Sequence, residues 1–218
     1  MSGGHAPAPR RFATFFGVVA PMLAATAVSA APATVYENVA YYDVSGKTAK
    51  AILDDLARKA PPPGFGGAVA YFARAETYFR WGFYYSTEGG GCRIESFDVN
   101  VDIEYLIPRW SDRDEASARL RAYWDQFIER LWVHEKGHAA IAIEAADAIG
   151  ALFETLGEFD ACSDIPANAD AAAKEALKAH AAKQAAYDRE TDHGLKQGAV
   201  FDVGDARTFR LPDAPDRQ

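Results

Sequence analysis

The clearest pattern in the chain is a strict alternation. Phe97, Val99, Val101, Ile103 and Tyr105 are apolar or aromatic, with Asp98, Asn100, Asp102 and Glu104 between them. A period of two reads as a strand with one dry and one wet face, and Pro108 is expected to end it. Within the β-prone stretch 69–86, Thr77, Phe79, Trp81, Phe83 and Tyr85 alternate in the same way. The Val- and Tyr-rich run Thr34–Val44 reads as a further strand, stopped by Ser45-Gly46. Thr48 then suits the N-cap of a short amphipathic helix, Ala49–Lys59, which Pro61-Pro62-Pro63-Gly64 stops. With Gly89-Gly90-Gly91 as a turn, these segments predict a small antiparallel or mixed sheet of three to four strands.

From Ser111 the period changes. Ser111-Asp112-Arg113-Asp114 resembles a capping box, with Asp114 where Glu or Gln is usual. Leu120, Trp124, Phe127, Leu131, His134, His138, Ile141, Ala145, Ile149, Leu152 and Leu156 recur at spacings of three and four, with no proline or strong turn signal before Gly157. That is one long helix with an apolar stripe, able to bend at Gly137 or Gly150. Beyond a loop holding Cys162 and Pro166, the alanine-rich stretch 168–189 predicts a second, C-terminal helix whose buried face the alanines conceal. Residues 199–203 look strand-like, and the polar tail 206–218 is expected to be loose. The fold class is therefore α+β: the sheet packed on a long helix and a second helix, in one domain over 31–205.

Residues 1–30 change this picture of the chain's surroundings. Arg10-Arg11, the apolar run 12–27 and Val28-Ser29-Ala30 match a cleaved secretory signal, and the run is too short to span a membrane. Its removal takes two of the 23 basic residues and leaves 21 against 31 acidic, a net charge of −10. So acidic a chain argues against nucleic acid and anionic membrane surfaces as partners, and no stable membrane insertion is expected after cleavage. In a secreted or periplasmic protein the even count of two cysteines predicts a disulfide between Cys92 and Cys162.

The candidate chemistry lies in His134-Glu135-Lys136-Gly137-His138. Two histidines four apart share one helix face and can offer nitrogens to one Zn2+ ion, while the glutamate beside the first can act as base toward bound water. Both histidines fall on the apolar stripe and thus face the body of the domain, with Glu135 at its edge. A catalytic zinc needs a third protein ligand. His193, followed by Gly194, is favoured, with His180 and Glu158 as alternatives and Glu144 less suited, being further along the same helix. Asp188 is expected to hold a ligand histidine by its second nitrogen, and Tyr187 to donate to a developing oxyanion.

Several separated motifs then occur in order: Tyr41-Tyr42-Asp43-Val44-Ser45-Gly46, Cys92-Arg93-Ile94, Leu106-Ile107-Pro108-Arg109-Trp110, Trp132-Val133-His134-Glu135-Lys136-Gly137-His138, and Tyr187-Asp188 with Thr191, His193-Gly194 and Gln197-Gly198. In these the chain resembles the predicted secreted bacterial zinc-dependent proteases, the domain of unknown function 922. The resemblance implies a zincin-like fold, His134 and His138 as metal ligands and Glu135 as catalytic base; His193 as third ligand is inferred from its place in the matching C-terminal motif. The expected function is a secreted zinc metallopeptidase acting on a peptide or protein substrate, with the alternating strand aligning it by edge pairing. A non-catalytic periplasmic zinc-containing binding module, and a zinc hydrolase acting on a cell-wall amide, are the alternatives.

Overall fold

The computed structural model describes residues 32–61, 72–87 and 90–209. The expected export signal, the first part of the 69–86 stretch, Gly89 and the end of the tail lie outside them. The alternating run is the spine of a mixed four-stranded sheet. It forms β3 (Cys92–Trp110), with β1 (Thr34–Val44) parallel on one side and β2 (Arg74–Ser86) antiparallel on the other. The two-residue β4 (Glu158–Phe159) pairs with its first two residues. Val99, Val101, Ile103 and Tyr105 are buried, and on the wet face Arg80 grips Asp102 through two hydrogen bonds.

Pro108 does not end β3, which continues to Trp110. The last β2 partner is Arg74 opposite Leu106, so at Pro108 one side of β3 is open. A strand with an open side can lack an N–H there without losing a ladder bond. With β1 and β2 on its two sides, β3 is also the strand least able to pair with a substrate. Among the described residues, the edge of β2 away from β3 has no strand partner.

The Thr48 side chain caps α1 (Ala49–Lys59) by accepting from the Ala51 N–H. Asp55, buried within α1, accepts from the Ser45 N–H and pairs with Arg58 and Lys59. That fixes α1 against the end of β1. The long helix is α2 (Ala118–Glu154), and its cap is Ser117, not Ser111. Ser111 instead donates to the Val44 carbonyl, and Asp112 accepts from the Gly46 N–H. These bonds tie the segment to β1 before the helix can start.

The second helix, α3 (Asp164–Thr191), begins before the predicted 168. Pro166 falls in its first turn, where a missing N–H has no intrahelical partner to lose. Residues 199–202 form no strand, and the tail is not loose directly after Asp205. A short helix, α4 (Val203–Thr208), follows, with Asp202 accepting at its cap, Ala206 buried and Phe209 packed beside Tyr123.

α2 lies between the sheet and α3, so its buried arc is wider than a single stripe. Leu120, Trp124, Phe127, Leu131, His134, Ala145 and Ile149 are buried as expected, and the arc widens to Ala139, Ala142, Ala146 and Phe153. Ile141, Leu152 and Leu156 of the stripe are only half-buried. Phe153 meets Trp81, Phe83 and Phe97 edge to face. Each such large apolar side chain contributes about 1.5–3 kcal/mol by leaving water. Cys92 and Cys162 are joined, pinning the loop before α3 to the start of β3 across a separation of 70 residues. In the chain-entropy account a loop of that length is worth about 4 kcal/mol. Among the described residues, no helix is long and apolar enough to cross a membrane.

Candidate metal centre

His134 and His138 sit one turn apart on α2, and helical geometry alone brings their Nε2 atoms to 3.2 Å. The third donor at this point is Asp188, from the last turns of α3. Its Oδ1 is 3.5 Å from His134 Nε2 and 3.0 Å from His138 Nε2. Three donors each about 2 Å from one tetrahedral ion lie about 3.3 Å apart, so these spacings fit a single metal position. Among the described residues, His134, His138 and Asp188 form the one group of donors mutually within 4.8 Å.

Hydrogen bonding settles which nitrogens face that position. The Gln184 amide donates to the His138 carbonyl, which can only accept. Its Oε1 therefore faces His138 Nδ1, which must carry the proton. By the same logic, the Tyr187 hydroxyl donates to the His134 carbonyl and accepts from the Gln197 amide. This leaves Gln197 Oε1 3.0 Å from His134 Nδ1. With both Nδ1 atoms on glutamine oxygens, the Nε2 atoms face the carboxylate. As imidazolium they donate to it, and as neutral rings their two lone pairs converge with its oxygen. Such a convergence of acceptors suits a cation, and the glutamines hold the rings in the tautomer that binds one.

The local field agrees. Burial would raise the Asp188 carboxyl, but hydrogen bonds from His134 and His138 hold it well below the usual carboxylate range. Burial would lower His138, yet Asp188 and Gln184 raise it above an ordinary histidine. Glu135 is only 3% exposed, so it is not at the stripe's edge as the pattern suggests. Burial pushes its carboxyl up against the pull of His138 and His134, and the Ala75 backbone of β2 hydrogen-bonds to it.

Not all the predicted residues meet here. His193 lies outside the three-donor group, on the rim, with Nδ1 3.6 Å from the same Asp188 oxygen. It and Asp192 adopt φ +51°, and Gly194 turns at φ +84°. A side chain on Gly194 would press on the His134 ring, so that close approach calls for glycine. Asp188 faces the Nε2 atoms, so it is a candidate ligand and not the support for a second nitrogen. That support comes from Gln184 and Gln197, residues to which the sequence reading gives no role. Neither stands out as charged or apolar.

Tyr187 is also reassigned. Its ring stacks on His134, and its hydroxyl is engaged between α2 and α3 and does not line the cleft. A Cβ on Gly137 would overlap that ring, so glycine at this point of the continuous helix gives Tyr187 clearance. His180 meets Gln184 and the edge of Phe79 but belongs to no donor group. Glu144 pairs with Lys183, and Glu158 lies in β4 beside Gly91.

The three donors and Glu135 open onto a cleft of about 640 Å3 between β2, α2, α3 and the segment 199–201. No curated protein and no solved structure matches the chain. A family model matches residues 39–194, described as bacterial protein of unknown function (DUF922). That span runs from β1 through His193-Gly194 and holds Glu135 and all three converging donors, and the chain belongs to this family.

Proposed function

We propose that the chain is an exported zinc-dependent hydrolase that cleaves peptide bonds. The observation carrying this reading is the convergence of His134 Nε2, His138 Nε2 and Asp188 Oδ1 beside a buried Glu135. Zinc in such a site supplies Lewis-acid polarisation of water and of a carbonyl. Glu135, with its proton affinity raised by burial, takes the proton of the attacking water and passes it to the leaving amine. Gln184 and Gln197 keep both imidazoles oriented. His193, on the rim, is placed beyond the ligands toward bound substrate. The edge of β2 away from β3, which starts next to Ala75 beside Glu135, suits an extended peptide backbone.

The open cleft favours this reading over a closed structural zinc site, which leaves no room for substrate. The disulfide and the lack of a membrane-spanning helix among the described residues accord with export. Two imidazoles and one carboxylate also suit iron(II), so the test begins with the metal. Protein purified without chelators is expected to hold one zinc and to cleave unstructured proteins. Glu135→Gln is expected to keep the zinc and lose at least about a hundredfold in rate. Iron in place of zinc, or undiminished cleavage by Glu135→Gln, overturns the proposal.

A further inference from the structure

The cleft is not uniform along its length. β2 and the residues just before it pass α2 and then α3 along the cleft: Phe72 meets Phe127 and Ala75 meets Glu135 on α2, and Phe79 meets His180 on α3. Toward Phe79 the walls are polar, with Thr77, His180 and Gln184. Toward Phe72 apolar side chains predominate, although Arg74 and Glu76 of β2 also border the cleft. Leu131 precedes His134 by three residues, about 4.5 Å nearer the α2 N-terminus. Leu53 from α1, Phe72, and Ala199, Val200 and Phe201 from the segment after α3 line the same cleft, and Phe72 and Phe201 both meet Phe127, one turn before Leu131. This apolar recess joins elements from four parts of the chain and opens onto the donor cluster, with Arg74 and Asp192 elsewhere on the cleft lining.

Resting on the peptidase reading, we infer that this recess receives a large apolar side chain of the substrate, next to the bond that is cleaved. A leucine, methionine or phenylalanine there leaves water for an apolar wall. A charged or small side chain loses solvation or contact without compensation. One or two missing methylenes in an apolar pocket are worth about tenfold or more in discrimination. The other end of the cleft, with its hydrogen-bonding walls, exerts no such demand.

The test separates this inference from the peptidase reading by measuring binding as well as cleavage. Peptides differing at one position (Leu, Phe, Gly or Asp) are titrated onto zinc-loaded Glu135→Gln protein. Leu and Phe peptides are expected to bind at least tenfold more tightly than Gly and Asp peptides. In Val200→Trp that preference should collapse; Val200 is 37% exposed on the rim, so the larger ring narrows the recess without entering the core. With the wild type, a mixed peptide pool should be cut beside large apolar residues. Equal affinities for all four peptides overturn the inference, and so does cleavage with no apolar preference at either flanking position. Selective binding without any cleavage supports the recess and sinks the peptidase reading instead.

Discussion

α2 and α3 carry the two halves of the site in opposite ways. α2 buries Leu, Tyr, Trp, Phe and Ile side chains, and His134, Glu135 and the half-buried His138 interrupt an otherwise apolar arc. The described buried residues of α3 are Ile165, Ala169 and Ala173. The same face then continues through His180, Gln184, Tyr187 and Asp188, all of which bond within or around the donor cluster. One helix is held by apolar area, and its donors follow from it. The other has little apolar area, and polar bonds together with the Cys92–Cys162 crosslink set its place.

If so, the crosslink matters more to α3 than to α2. Replacing both cysteines by serine is expected to cost about 4 kcal/mol in denaturant unfolding. Hydrogen exchange should rise in α3 well before α2; equal loosening of both helices would erase the contrast. Next in size is the third donor. Asp188→Ala should weaken zinc binding by more than the roughly hundredfold ceiling for supporting residues, in competition with a chromophoric chelator. Should Asp188→Ala stay within tenfold of wild type while His193→Ala loses the metal, the donor from this end of α3 is His193.

Contact between the two helices gives a smaller effect. Gly137→Ala drives a methyl into Tyr187 and is expected to cost about 1–3 kcal/mol by thermal or chemical unfolding. Combined with Tyr187→Ala, the two losses should fall short of additive, because the second change removes the clash. Smallest are the glutamines: Gln184→Leu and Gln197→Leu should each lower zinc affinity about ten- to a hundredfold with unfolding midpoints little changed.

How much was legible follows the same contrast. The strand 97–105, the helix Ala49–Lys59 and much of the arc of α2 could be read because apolar and polar residues recur with a clear period, and Thr34–Val44 because Val and Tyr are rich in it. α3 could be read as a helix from its alanines, but its buried face could not, since alanine is at home on either face. Its start was obscured by Pro166, which signals a break in mid-helix and is harmless in the first turn. Residues 199–203 imitate a strand because Ala199 and Phe201 are buried, but Phe201 packs against Trp124 and Phe127 without a ladder partner.

The sequence by itself determined the pair of histidines and the glutamate beside them. Spacing of four on a helix is local geometry, so two Nε2 atoms converge wherever that helix lies. It also determined the central strand and the pair of cysteines. Only the tertiary structure decided that Asp188 and not His193 completes the group, that Gln184 and Gln197 set the tautomers, and that Tyr187 stands behind the site. These residues are 46 to 63 positions away from their histidine partners. Which of them arrives at the donor point depends on how α3 packs across α2 and where the chain turns at Asp192 and His193, and no local periodicity encodes that.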